Sequence, residues 1–167
     1  PGPVWGEAER ARVFTLLRAT ARPGGISVIS GSQPPGVPVD FPAQLAASMP
    51  ETRVVLDTSG STLTEAVRHP IPGLEVLRMD GPEGEELAGK PLPTLADTAE
   101  FAQSLVRKGV ARTVIVARGA EGNVLADKDQ RLFSKAAKVR VKSTVGAGDS
   151  FVAAFVLALS RGQTNAE

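Results

Sequence analysis

Apolar and polar positions along the chain switch between two periods. Over residues 7–22, Ala8, Ala11, Phe14, Leu17 and Ala21 recur at steps of three and four, which predicts an amphipathic helix. Residues 26–30 (ISVIS) follow the Gly24-Gly25 pair and read as a short strand; the turn-rich stretch 31–38 (GSQPPGVP) reads as a loop. Asp40 is placed to cap a helix reaching about Met49, with Pro42 tolerated in its first turn. Residues 53–57 (RVVLD) predict a strand that ends on an acid. Thr62 and Glu65 sit at capping-box spacing and predict a short helix, which the His69-Pro70 and Pro72-Gly73 pairs stop. Residues 74–78 (LEVLR) predict a further strand.

Thr94 and Asp97 repeat the box spacing in an acidic variant. Leu95, Ala99, Ala102, Leu105 and Val106 then share one apolar face, and Gly109 ends the helix. Residues 113–117 (TVIVA) are β-branched and apolar on both faces, the clearest strand in the chain. Residues 123–127 and 131–135 flank Lys128-Asp129-Gln130 as a hairpin, and 139–142 (VRVK) alternate like a half-exposed strand. A glycine-bearing loop, 143–148, opens a last apolar helix over 149–160. Apolar strands separated by helices predict an α/β fold, with a mainly parallel sheet covered on both faces. Ligands of such sheets sit beyond the carboxyl ends of the strands. The informative loops are therefore 31–38, 57–61, 78–83, 117–122 and 143–149.

Composition removes several chemistries. The 167 residues contain no cysteine, which excludes a disulfide scaffold, a Cys-ligated zinc and a thiol nucleophile. The single histidine, His69, excludes His-rich metal sites and argues against a Ser-His-Asp triad. Nineteen basic and 18 acidic residues leave a formal charge of +1, against a dedicated nucleic-acid partner. No apolar run is long enough to span a membrane. The opening PGPVW has neither the basic nor the apolar region of a secretory signal, so the expected compartment is the cytoplasm. A start without methionine reads as a fragment or a processed chain.

The sharpest feature is 143–150 (STVGAGDS), placed between a strand and a helix. Small residues let the backbone approach a ligand, and the first helical N–H groups have no partner within the helix. Together with the helix dipole they make an anion site. Asp149 stands inside it and has two readings: a base acting on a hydroxyl that attacks a phosphate, or the N-cap of the helix. There is no GxxxxGK[ST], so this is not a P-loop, and no GxGxxG follows a strand.

STVGAGDS closely resembles the second signature of the PfkB carbohydrate kinases, which have a ribokinase-like fold. Residues 29–37 (ISGSQPPGV) resemble that family's ISGSLPPGV loop, 56–60 (LDTSG) its strand-end acid segment, and 116–122 (VARGAEG) its nucleotide loop. The wording is most similar to the branch that phosphorylates phosphosugars. The resemblance implies a three-layer α/β/α body over residues 1–167, a single domain incomplete at both ends. The lid strands, an early sugar-binding Asp and a Gly-rich sugar loop would precede it, and the helices that finish the adenine pocket would follow.

By that resemblance Asp149 is the catalytic base, and backbone N–H groups of Gly146, Ala147 and Gly148 hold the transferring phosphoryl group. Ala117, Arg118, Gly119, Ala120, Glu121, Gly122 and Thr144 lie along the nucleotide, with Gly119 and Gly122 allowing close approach, and Ser32 reaches the sugar phosphate. The family's Lys-Pro-Asn-x-x-Glu segment aligns with 78–83 (RMDGPE), which puts Asp80 in place of the Asn and keeps Glu83. An Asp80–Glu83 pair suits Mg²⁺; the other reading is two solvated acids near a helix start. Arg118 replaces the usual Leu, either to reach a phosphate or as a solvated turn residue.

The implied activity is phosphoryl transfer from ATP, with Mg²⁺, to a phosphosugar, fructose 6-phosphate first. Fructose 1-phosphate, tagatose 6-phosphate and a nucleoside are the rivals, and a non-catalytic nucleotide-binding remnant is the alternative of another class. The implied assembly is a homodimer through the lid, and the piece alone is expected to be inactive. Arg131, Lys135, Lys138, Arg140 and Lys142 read as a solvated face, His69 as a surface turn residue, and Trp5 as packing or exposed. Asp57 either serves the site or caps a turn.

Overall fold

The computed structural model describes residues 2–166. Among them, six strands form one sheet in chain order: β1 (Ile26–Ser30), β2 (Arg53–Asp57), β3 (Val76–Asp80), β4 (Thr113–Ala117), β5 (Gly122–Ala126) and β6 (Arg131–Lys135). β1 to β4 are parallel, because each is joined to the next through helices. β5 and β6 extend the sheet as antiparallel strands. The helices are α1 (Glu7–Thr20), α2 (Phe41–Ala47), α3 (Gly60–Arg68), α4 (Gly81–Ala88), α5 (Leu95–Arg107) and α6 (Ala147–Ser160).

Alternation along the strands separates two cores. Val54 and Leu56 of β2, Leu77 and Met79 of β3, and Val114 and Val116 of β4 pack with Leu63, Ala102 and Leu105 of the helices on one face. Val55, Val76 and Ile115 point the other way and pack with Val152, Phe155 and Leu159 of α6. A third cluster joins α1 to α2, where Phe14 meets Phe41 edge-on at 5.6 Å, and half-buried Trp5 packs against it. No helix among the described residues is long and apolar enough to cross a membrane.

Several expectations change. Asp40 stands at the N-cap of α2, but its side chain makes no cap bond and accepts instead from Gln44 Nε2 at 3.1 Å. β3 begins two residues later than the pattern predicts, because the Leu74 N–H closes a turn on Ile71 O at 3.1 Å and pairing starts with Val76 opposite Val55. α3 begins at Gly60 with Ser59 as its N-cap, so buried Thr62 lies inside the first turn and forms no box with Glu65. Residues 139–142 form no strand: among the described residues β6 is the sheet edge with nothing paired beside it, and Val139 and Val141 are exposed. α6 starts at Ala147, two residues earlier than predicted. The box at Thr94 is present, with Thr94 Oγ1 accepting from Asp97 N at 3.1 Å and Asp97 Oδ2 accepting from Thr94 N at 3.1 Å.

Candidate active site

The carboxyl ends of β1 to β3 converge on the first turn of α6. Gly146 is the N-cap, held at φ 78° by the tight turn, and no side chain caps the helix. The N–H of Ala147 closes the turn on Thr144 O at 3.1 Å, and Ser150 N donates to Gly146 O at 2.9 Å. Among the described residues, the N–H groups of Gly148 and Asp149 have no partner, which is the arrangement that receives an anion. Gly146 N–H is likewise without a partner among the described residues, so of the three expected donors only Ala147 is engaged, and Asp149 N–H joins the other two.

Asp149 is the third helical residue and not the N-cap, which removes the capping reading. Its Oδ1 accepts a hydrogen bond from Ser30 Oγ at 3.3 Å, at the end of β1. Beside it, Arg78 Nη1 donates to Asp57 Oδ1 at 3.0 Å, joining the ends of β3 and β2 in a largely buried pair. Asp57 therefore neutralises a neighbouring cation and caps no turn. The guanidinium lies against α6: a methyl added at Gly148 would come within 3.2 Å of Arg78 Nη1. The Arg78 Nε is buried with no hydrogen-bond partner among the described residues.

Asp80 and Glu83 close α4 with a reciprocal box. Asp80 Oδ1 accepts from Glu83 N at 2.9 Å and Glu83 Oε2 accepts from Asp80 N at 2.8 Å. The solvated reading therefore gives way to a structural one. Each carboxylate keeps its second oxygen unengaged among the described residues, which fits a hard, oxygen-seeking cation. Burial is the main influence on Glu83 and pushes its carboxyl above the usual range; the Asp80 N–H opposes that and the Asp80 charge adds to it.

Two cavities meet here. The smaller, of about 210 Å³, is lined by Ser30, Gly31, Asp57 and Asp149; the larger cleft, about 1670 Å³, runs along 117–121 and 136–144. Arg78, Asp80 and Gly148 line both and form the wall between them. Ser32 is exposed and does not line the smaller cavity, whereas Ser30 does. Lys138, Arg140 and Lys142 line the larger cleft instead of sharing a strand face.

Ala117, Gly119, Ala120, Glu121 and Thr144 also line the larger cleft. Arg118 lies there too, but it is neither solvated nor free. Its Nη1 donates to Leu92 O at 2.8 Å and Thr98 Oγ1 at 2.6 Å, Nη2 to Pro93 O at 3.2 Å, and Nε to Glu121 Oε2 at 2.6 Å. It clamps the α4–α5 connection to the loop after β4. Gly122 is also structural: a side chain there would collide with the Ser134 carbonyl of β6, and it does not line the cleft. His69 is exposed and pairs with Glu65 at 2.8 Å, away from the site.

Sequence reasoning passed over Ser30 and gave Arg78 no role of its own. Both stand at carboxyl strand ends, and that position was the available signal.

A sheet of this order, with an open helix N-terminus at its carboxyl edge, is the ribokinase-like frame. Residues 5–167 match the pfkB family carbohydrate kinase model, and the chain belongs to that family. It is 34% identical over 164 residues to the ATP-dependent 6-phosphofructokinase isozyme 2 of Mycobacterium tuberculosis, covering 97% of this chain and 47% of that protein. It is 35% identical over 170 residues to the 1-phosphofructokinase of Xanthomonas campestris pv. campestris, covering 100% and 53%. The structure of phosphofructokinase-2 from Escherichia coli in complex with substrates and products superposes with a TM-score of 0.89 at 32% identity, over 99% of this chain and 53% of that one. The ribokinase of Arabidopsis thaliana shares the fold at a TM-score of 0.67 and 22% identity. The chain spans about half the length of the curated relatives it matches.

Proposed function

We propose that this chain carries the phosphoryl-transfer site of an ATP- and Mg²⁺-dependent sugar-phosphate kinase, with fructose 6-phosphate as the favoured acceptor. The observation that carries the reading is the start of α6: open N–H groups at Gly146, Gly148 and Asp149, no side-chain cap, and Asp149 turned to the smaller cavity. In this reading the larger cleft takes the nucleotide and the smaller takes the acceptor hydroxyl. Asp149 accepts the proton of that hydroxyl as it attacks. Phosphoryl transfer needs little covalent help, so positioning and charge stabilisation dominate. The N–H groups of Gly148 and Asp149 supply fixed donors, and Arg78 places a cation on the wall between donor and acceptor. Asp80 and Glu83 offer their free oxygens to Mg²⁺, which when bound neutralises phosphate charge.

Fructose 1-phosphate is the second reading, favoured by the 35% identity to a 1-phosphofructokinase. We take residues 1–167 as one domain of a cytoplasmic homodimer. The test is ADP release by the full-length protein over fructose 6-phosphate, fructose 1-phosphate and tagatose 6-phosphate. Turnover selective for one of them is expected; no turnover with any of them would leave the nucleotide-binding remnant.

A further inference from the structure

We propose that Ser30 is the positioning residue of the base: its hydroxyl holds one oxygen of Asp149 and leaves the other to the acceptor. The proposal rests on the reading of Asp149 as the base.

An acid at the third helical position ordinarily folds back onto the N-cap N–H, as Glu83 does. Asp149 does not. Among the described residues its side chain has one hydrogen bond, from Ser30 Oγ to Oδ1. Asp57, Arg78, Asp80 and Glu83 share the cavity, from β2, β3 and α4, yet none of them bonds to it. A carboxylate on two free torsions samples several rotamers. One donor on Oδ1 selects among them and presents Oδ2 to the cavity. At 3.3 Å the contact is long. Catalytic hydrogen bonds are often long in ligand-free sites and tighten when substrate arrives.

Ser30 is itself held firmly. It pairs with Asp57 in the parallel ladder. Next to it, Gly31 N donates to Asp57 O at 2.8 Å, and Thr58 Oγ1 donates to Gly31 O at 3.0 Å. Two strand ends therefore present the hydroxyl, and Gly31, which opens the loop that follows, lines the acceptor cavity. The base takes its orientation from the acceptor side of the site, so its aim and the acceptor's position are set by one rigid piece.

The test is steady-state kinetics of the full-length enzyme with ATP and fructose 6-phosphate, for Ser30→Ala, Ser30→Thr, Asp149→Asn and the Ala/Asn double variant. Misplacing a catalytic group by about 1 Å costs up to 10²-fold, so Ser30→Ala should lower kcat on the order of tenfold. KM for ATP should not move, and Ser30→Thr, which keeps the hydroxyl, should recover most of the rate. Adding Ser30→Ala to Asp149→Asn should cost nothing further, because the residue acts through that carboxylate. Wild-type kcat in Ser30→Ala, or an equal further loss in the double variant, overturns the proposal while leaving the base in place. Wild-type kcat in Asp149→Asn overturns the base and the proposal with it. Ser30→Cys, nearly isosteric with a weak donor, replaces the Ala variant if that one does not melt cooperatively.

Discussion

α4 and α6 both begin at the carboxyl edge of the sheet, and both carry an acid at the third helical position. In α4 the acid is Glu83, and it satisfies the N–H of the Asp80 cap while Asp80 satisfies the Glu83 N–H. In α6 the acid is Asp149, the cap is a glycine without a side chain, and the acid reaches Ser30 instead. One helix start is closed by the protein's own carboxylates. The other is left open for something that the chain does not supply. A negative charge at a helix start thus has two fates, and the backbone of the cap goes with the outcome: it is extended at Asp80 and at Gly6 of α1, where Glu9 also folds back onto the cap N–H, and left-handed at Gly146. An extended cap lets the third residue reach its N–H; a cap in the left-handed turn leaves that residue free.

The largest expected effect that separates the two is Asp149→Asn. Loss of a general base typically costs 10²–10⁴ in rate. The loss should appear in kcat with KM nearly unchanged, because the backbone donors remain. Wild-type turnover would make α6 an ordinary helix start. Next comes Gly146→Ala, which forces a Cβ into the left-handed region at roughly 1–2 kcal/mol. A melting temperature lowered by several degrees is expected, and an unchanged one would show that the open cap needs no glycine. Asp80→Ala removes the α4 cap and should cost about 1 kcal/mol in denaturant unfolding. A loss of stability without any change in the Mg²⁺ requirement would restrict Asp80 to capping.

The smallest effect sharpens the comparison with a third helix start. Hydrogen bonds from Thr94 hold the Asp97 carboxyl below its usual range. Such a group adds stability above its unfolded pKa, and that stability is lost as pH falls through the lower folded value. Asp97→Asn should therefore flatten the acid limb of stability slightly, by lowering stability a little at neutral pH while leaving the most acidic end almost unchanged. An acid limb as steep as the wild type's would remove Asp97 from the account.

Much of the frame is legible from residue pattern. The runs at 26–30, 53–57 and 113–117 become β1, β2 and β4 at those bounds, because β-branched residues between helices have few other uses. The box at Thr94 reads correctly because its apolar face follows at once. Other features depend on neighbours that pattern does not contain. α4 holds Gly81, Pro82 and Gly84, poor helix formers by propensity, and is carried by its box and by the close approach of Gly84 to Val116 and Phe101. The alternation at 139–142 has no strand to pair with. At the site, the motif points to Asp149 and to the loop around it. Arg118 reads as a free cation until its carbonyl partners, more than 20 residues away, come into view. Ser30 stands at a legible strand end, but its partner, 119 residues away, is not known until β1 is set beside α6.

The sheet order carries a kinetic consequence. Each strand lies beside the one made just before it. No strand waits for a later one to be inserted between it and its partner, so every pairing closes a short stretch of chain. During synthesis, which presents the N-terminal side first, the sheet should therefore grow in one direction, from β1 toward β6. α6 is made after all six strands and docks on a face that is already formed. The contact between Ser30 and Asp149 spans 119 residues and is completed only then. A nascent chain should thus hold a paired sheet well before it holds an assembled base. Pulse-labelled hydrogen exchange would read this as protection of β1 to β4 ahead of α6.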